Sequence, residues 1–520
     1  MACPYQQYYI NQAGSGIGVI YRGAPYQRGH GIGSWLGGIF RSILPLFKSG
    51  VKAVGKEALR TGSNILGDIV ENRPIKESFQ DRMREAGQSL KRKADTKIEN
   101  LMQGSGYKKP RQKTTSHSLS PLSSLTDDAP IEFVIPGNGN DYLDLSQTML
   151  YVTAKIVKQD DTSLNVEDVV GPVNNWLHSL FSQVEIYLNQ KLVSPPNNTY
   201  AYRSYIETLL NYGSEAKSSH LSCSLWHSDT PGKMDNLTED NVGFIKRKSF
   251  TFENNQIEMI GHVHSDIFNQ EKFLVNGVEM KIKFVRSRDS FSLMAKSGST
   301  YKVKILEASL LVRRMKINPT ILIAHTKALE STSAKYPITK ADVKVLTIPS
   351  GIQRKSLDNV FLGQLPKRCI IGFVSNKAFN GDYATNPFNF HHYKINYLSL
   401  YIDGQQIPSK PLQPDFTKSG LYVRAYHTLY SGTGIHFLNE GNNISREDYP
   451  KGYCLMAFDL TPDLSANANT HWNLVKNGSL RIEVGFEDAL SETINCLVYA
   501  EFDNVIEIDK HRNVMVDFSS

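Results

Sequence analysis

The sequence predicts an all-β body built from two similar sandwiches in tandem, preceded by a flexible, partly helical basic N-terminal arm. Three observations lead there. Short apolar runs alternate with polar residues and are broken by Asn, Gly, Asp and Pro, the pattern of half-buried strands. Several of these runs occur twice, in the same order. The charge divides sharply, with 19 Lys and Arg against 8 Asp and Glu in residues 1–113, and 39 against 43 in the remainder. Over 520 residues, 40% hydrophobic and 21% charged residues suit a folded globular chain, and the length suits two to four domains of roughly 100–200 residues each.

The arm, residues 1–113, opens with a glycine-rich leader. Gly14-Ser-Gly16-Ile-Gly18 follows no strand and is followed by no Gly-Lys-Ser/Thr, so it does not read as a phosphate loop. From Trp35 the pattern becomes helical. Ile39, Ile43, Phe47, Val51 and Val54 recur at steps of three and four, beside a basic stripe of Lys48, Lys52 and Lys56. With Trp35 and Phe40 at its start, this is the composition of a helix that lies in a membrane surface or packs on a partner protein. Two basic clusters follow, Lys91-Arg92-Lys93 and Lys108-Lys109-Pro-Arg111-Gln-Lys113, dense enough for nuclear import or nucleic-acid contact.

Residues 114–125 are rich in Ser and Thr, with Pro121, and read as a linker. The first sandwich is expected over 126–318, a connecting helix over 319–335 and the second sandwich over 336–520. Within the body, only 200–212 and 319–330 have clear helical periodicity. The repeat is plainest in two hairpins. Val184, Ile186 and Leu188 alternate on one face before Asn189, as Leu398, Leu400 and Ile402 do before Asp403-Gly404, a strong turn signal. Prolines follow in both, Pro195-Pro196 and Pro408 with Pro411. Tyr202-Arg-Ser-Tyr205 then matches Val423-Arg-Ala-Tyr426. Further on, Asn276-Gly277 and Asn477-Gly478 each precede a strand, which aligns Met280, Ile282 and Phe284 with Ile482, Val484 and Phe486.

Two units of about 190 residues favour the jelly roll, which hides most strand edges in two packed sheets. Tandem immunoglobulin-like domains of about 100 residues would require roughly four repeats.

Catalytic patterns are weak. His262-x-His264 with Asp266 could share one face of a strand, but no fourth metal ligand lies near, and polar strand positions explain the three better. His391-His392 would point to opposite faces. Asp127-Asp128 and Asp160-Asp161 read as solvated loops; Arg286-Ser-Arg288-Asp289 and Arg313-Arg314 read as ion-pairing positions. No Gly-x-Ser-x-Gly or His-Glu-x-x-His occurs. Five scattered cysteines, Cys3, Cys223, Cys369, Cys454 and Cys496, without a CxxC suit a reducing compartment and no disulfide framework. Residues 1–10 lack the form of a secretory signal. The expectation is therefore a protein that is not an enzyme, with no cofactor and no metal.

The arm resembles adenovirus minor capsid protein VI through Gly33-Ser-Trp-Leu-Gly-Gly-Ile-Phe40 and Lys48-Ser-Gly-Val-Lys-Ala-Val-Gly-Lys56. That resemblance implies a membrane-active helix and release by a viral cysteine protease that cuts before Gly. Met102-Gln-Gly104-Ser105 followed by Gly106 fits the protease's pattern. The body resembles the double jelly-roll capsid proteins of adenovirus-like and Polinton-type (adintovirus-like) elements. Gly171-Pro-Val-Asn-Asn175, Ser194-Pro-Pro-Asn-Asn198, Phe268-Asn-Gln-Glu-Lys272, Leu362-Gly-Gln-Leu-Pro-Lys367 and Asp459-Leu-Thr-Pro-Asp-Leu464 carry that likeness, which spans nearly all of 120–520. It implies a virion subunit that forms homotrimers, contacts neighbouring capsid subunits, is processed by a maturation protease, and reaches viral DNA or a membrane through residues 1–113. It also implies assembly in the host nucleus. The alternative is a nucleic-acid-binding, core-associated minor capsid protein.

Overall fold

The computed structural model describes residues 114–516 apart from 126–128, 138, 195–196, 253–254, 418–419, 440 and 468–474. Strands dominate. The first half holds β1 (Thr114–Leu119), β2 (Ile131–Ile135), β3 (Asp141–Lys158), β4 (Val170–Pro172), β5 (Phe181–Leu188), β6 (Lys191–Leu192), β7 (Ile257–His262), β8 (Met280–Arg286), β9 (Leu293–Ala295) and β10 (Tyr301–Lys316). The second half holds β11 (Ala334–Ile348), β12 (Arg354–Gln364), β13 (Arg368–Ser375), β14 (Ile395–Ile402), β15 (Gln405–Leu412), β16 (Leu455–Asp459), β17 (Asn477–Phe486), β18 (Ile494–Ile508) and β19 (Val514–Val516). Four longer helices matter below: α1 (Tyr200–Asn211), α2 (Val242–Thr251), α3 (Pro319–Leu329) and α4 (Val423–Ser431).

The sheet orders are β1-β10-β3-β7 and β2-β8-β5-β6 in the first half, and β11-β18-β13-β16 and β12-β17-β14-β15 in the second. The β4–β9 pair and β19 are additions. Without them, each half is eight strands in the orders 1-8-3-6 and 2-7-4-5, the two four-stranded sheets of a jelly roll. The chain is a double jelly roll.

Alternation explains each sandwich. In β2, Ile131, Phe133 and Ile135 are buried and Glu132 and Val134 are less so. Phe133 meets Phe284 of the neighbouring strand β8 edge to face, and in the second half Phe373 of β13 meets Phe486 of β17 across the two sheets. The helix expected at 319–330 is α3, which Asn318 caps through the Thr320 amide with Pro319 at its first position. The helix expected at 200–212 is α1.

Two expectations are corrected. Residues 114–119 are not linker: they form β1, antiparallel to β10 from Thr114↔Met315 to Leu119↔Leu310. A Ser/Thr-rich strand at a sheet edge has no apolar alternation, so composition alone hides it. The second correction concerns register. In β5 and β8, Val184, Ile186 and Leu188 face Phe284, Ile282 and Met280; in β14 and β17, Leu398, Leu400 and Ile402 face Val484, Ile482 and Leu480. Met280, Ile282 and Phe284 therefore correspond to Leu480, Ile482 and Val484, not to Ile482, Val484 and Phe486. A slip of two residues keeps every side chain on its face, so alternation cannot detect it.

The hairpins themselves repeat faithfully. Asn189 (φ 44°) and Gln190 (φ 68°) turn β5 into β6, and Asp403 (φ 47°) and Gly404 (φ 83°) turn β14 into β15. Two successive left-handed residues are what a tight turn of this twist requires. Asn189 Oδ1 accepts the Glu279 amide at 2.8 Å, and Asp403 Oδ1 accepts the Ser479 amide at 2.9 Å.

Candidate functional site

Among the described residues, buried charged side chains converge at the seam between the two rolls. It is built from α1, which occupies the connection between β6 and β7. Every residue of α1 from Tyr200 to Leu210 is buried, because the helix lies between its own sandwich and the outer face of the second roll's β11-β18-β13-β16 sheet. Aromatic rings fill the seam. Tyr205 stacks on Phe388 at 4.2 Å between centroids, and Tyr202 stacks on Phe379 at 5.6 Å.

Within this apolar surface sits a chain of ion pairs. Arg203 donates to Glu207 at 2.8 Å, to Asp266 at 2.5 Å and to the Ala341 carbonyl of β11 at 3.4 Å. His264 Nδ1 lies 2.7 Å from the other Glu207 oxygen. Tyr499 of β18 donates to Glu207 at 3.3 Å and reaches Glu501 at 3.4 Å, and Arg368 donates to Glu501 at 3.0 Å. The network thus runs from one roll into the other. Burial opposes ionisation of Glu207, but Arg203 and His264 prevail and hold its carboxyl at about 2. For Asp266 and Glu501 burial prevails over the neighbouring guanidinium, and both carboxyls are pushed up.

His262, His264 and Asp266 do not share one strand face: β7 ends at His262, Asp266 opens a short helical turn, and only His264 and Asp266 join this network. His262 Nε2 is 3.1 Å from the Ser146 carbonyl, Asp266 is held by Arg203, and His178 packs edge-on against His264 with centroids 4.6 Å apart. No group of three or more His, Cys, Asp or Glu among the described residues could hold a metal ion. A cavity of about 20 Å³ (room for one water molecule) lies beside it, lined by Ser194, Asn197, Tyr200, Arg203, His264 and Val343 among others.

A second buried cluster fastens the seam elsewhere. Arg247 of α2 donates to Asp229 at 2.6 Å and to the Pro172 carbonyl at 2.9 Å. Asn386 of the second roll donates to Asp229 at 3.0 Å, and Asn389 donates to Asp235 at 2.8 Å. Lys217 Nζ donates to the carbonyls of Leu209 at 2.8 Å and Asn442 at 2.7 Å, and burial lowers its ammonium to about 7.

Arg286 and Arg313 ion-pair as expected, whereas Asp161, expected to be solvated, is held between two lysines of the neighbouring strand. Asp161 meets Lys302 and Lys304, Arg313 meets Asp144 at 3.3 Å, and Arg286 lies 4.0 Å from Asp289. His392 stacks on Phe416 at 4.4 Å, and His391 packs on Tyr393. The expected arm residues lie outside the described residues: Trp35, Ile39, Phe40, Ile43, Phe47, Lys48, Val51, Lys52, Val54 and Lys56; Lys91, Arg92, Lys93, Lys108, Lys109, Arg111 and Lys113; and Met102, Gly104, Ser105 and Gly106. So do Asp127, Asp128, Pro195 and Pro196. No described helix is long and apolar enough to cross a membrane.

The sequence reading missed Arg203, Glu207, Arg368 and Glu501 as a linked set. Arg203 and Glu207 sit four apart on a helix that is otherwise mostly apolar, and Glu501 interrupts a continuous apolar strand; both were signals of a buried pair.

Buried polar contacts hold two sandwiches side by side, and no described cluster could hold a metal ion. The class so defined is the double jelly roll. A chain in the cryo-EM structure of the Sputnik virophage has the same fold, with a TM-score of 0.53 and 13% identity over 78% of this chain and 89% of that one. The mavirus major capsid protein also aligns, at a TM-score of 0.46 and 12% identity over 78% and 90% of the two chains. In sequence, an uncharacterized Caenorhabditis elegans protein is 28% identical over 408 residues, 75% of this chain and 94% of that protein. No family model matches the sequence.

Proposed function

We propose that this protein is a structural subunit of a virion shell, and not an enzyme. The observation that carries the proposal is the fusion of two jelly rolls of one topology into a single chain. A duplicated wedge allows three chains to close a six-sided block, and such blocks can tile an icosahedral face through closed, heterologous contacts. The fold shared with the Sputnik chain supports the reading. So does the content of the seam, where ionisable groups are buried and spent on packing.

In this reading the arm is released after Ser105 and its amphipathic helix meets membrane or genome, as its likeness to protein VI implies. The net charge of residues 1–113 gives it affinity for anionic surfaces, whereas the body is mildly acidic. The protease of the same element would supply the cut, and assembly would take place in the host nucleus.

Co-expression of the full chain with that protease tests the processing. The expected product begins at Gly106, and Gly104→Val leaves the chain intact; cutting that ignores this substitution removes the arm from the proposal. Expression of the full chain followed by negative-stain microscopy tests assembly. Six-sided particles or closed shells are expected, and only dispersed monomers at high concentration would contradict it.

A further inference from the structure

We infer that Asn189 is the specificity-determining residue of a clasp between the rolls: it makes the first roll, and not the second, the receptor for the turn that joins β18 to β19.

The starting point is two hairpins that are built alike. Asn189 exchanges a pair of hydrogen bonds with Glu279. Its backbone amide donates to the Glu279 carbonyl at 2.9 Å, and its Oδ1 accepts the Glu279 amide at 2.8 Å. Asp403 does the same with Ser479, at 3.2 and 2.9 Å. Either side chain serves the hairpin, because the hairpin asks only for one acceptor oxygen. The two residue types differ at the remaining atom. A carboxamide has an NH2 that donates, whereas the second oxygen of a carboxylate can only accept.

In the first roll that atom is put to use. Asn189 Nδ2 donates to the Arg512 carbonyl at 2.8 Å. Arg512 Nη2 in turn donates to Asn276 Oδ1 at 3.0 Å. Gly277, at φ 77°, leaves room for the guanidinium: a Cβ there would stand 3.1 Å from Arg512 Nε. The second roll thus reaches back to two neighbouring turns of the first.

The turn that docks is held in shape by its own contacts. Residues 509–513 lie between β18 and β19, whose ladder runs from Ile506↔Val516 to Ile508↔Val514. Asp509 Oδ1 accepts the amides of His511 and Asn513, both at 2.8 Å, and its Oδ2 accepts Asn513 Nδ2 at 2.8 Å. The Arg512 amide donates to the Asp509 carbonyl at 3.0 Å. Arg512 is fixed by these bonds at φ 66°, in the left-handed region, with its carbonyl and its guanidinium both on the first roll.

The matching position of the second roll could not receive such a turn. At Asp403, which is exposed, a carboxylate oxygen would meet the incoming carbonyl, acceptor against acceptor. One substituent, NH2 in place of oxygen, tells the two rolls apart. Repulsion at the wrong site adds to attraction at the right one. Polar contacts of this kind specify a pairing more than they add stability.

Hydrogen exchange read by mass spectrometry on the full chain tests the assignment. Asn189→Asp keeps the acceptor that the hairpin needs and loses the donor. Roughly tenfold faster exchange is expected in 509–516, with 184–192 unchanged. Asn276→Asp keeps its acceptor and adds a charge opposite Arg512, so exchange in 509–516 should stay within about twofold of native or slow down. Native exchange of 509–516 in the Asn189→Asp protein would overturn the clasp. Faster exchange in 184–192 would show that Asn189 serves the hairpin itself, and would overturn its role in specificity. An equal loss in both variants would do the same, since any added acid would then loosen the turn. Asp403→Asn supplies the converse: 398–407 should remain as protected as in the native chain, and a loss there would break the equivalence of the two hairpins.

Discussion

Arg203 shows how much one side chain carries at the seam. Its guanidinium serves Glu207 and Asp266 and also donates to the second roll's backbone at Ala341. Removing one member of a buried ion pair leaves the others desolvated and unpaired, at a cost of roughly 3–5 kcal/mol. Arg203→Ala should therefore lower unfolding stability by about that amount in urea titration, and a loss below about 1 kcal/mol would show the network to be dispensable. Acid should weaken the same region. Burial holds His178 below its usual range and His262 at about 4, so both stay neutral in the folded chain while the unfolded chain takes up protons near 6.5. Their contribution is complete above about pH 6.5 and is lost as the pH falls towards 4, at up to about 1.4 kcal/mol per unit for each imidazole. The raised carboxyls of Asp266 and Glu501 act in the opposite sense and offset part of this. Lys217, lowered to about 7, adds stability as the pH rises from 7 towards 10.5. Melting temperature measured from pH 4.5 to 9 should rise throughout; a maximum near pH 5 would contradict the assignment.

The strands and turns are where sequence and structure agree best. Hairpins at Asn189 and Asp403 are legible because Asx and Gly residues tolerate the left-handed backbone that the turn needs, and their flanking alternation defines a buried face. Gly404 has open space where a Cβ would sit, so Gly404→Val strains only the backbone. About 1–2 kcal/mol of destabilisation is expected from denaturant unfolding, and no loss would mean that the left-handed conformation is not required. Strand β1 was illegible for the opposite reason. Five of its six residues are polar, and it is defined by a ladder to β10, nearly 200 residues away. Deleting 114–119 would uncover the backbone edge of β10, and exposed edges pair with other chains. Light scattering should then show non-specific aggregation beyond the native assembly; unchanged scattering would make β1 ornamental. Helix α4 was legible only as an aromatic, Arg-containing repeat of α1, because it buries just Ala425 and Leu429 fully and so carries little apolar periodicity. The seam network was missed because its members come from α1, β13, β18 and the connection after β7, and no spacing rule links such distant positions.

The whole molecule has one physical theme. Two copies of a sandwich are set side by side in one chain, with the buried helix α1 between them. The internal seam is aromatic and ion-paired. Sedimentation velocity of the full chain over a hundredfold range of concentration tests the claim that this shape is made for its own kind. The account predicts a discrete species near three times the 58.4 kDa chain mass, persisting on dilution. A single species of one chain mass throughout would contradict it.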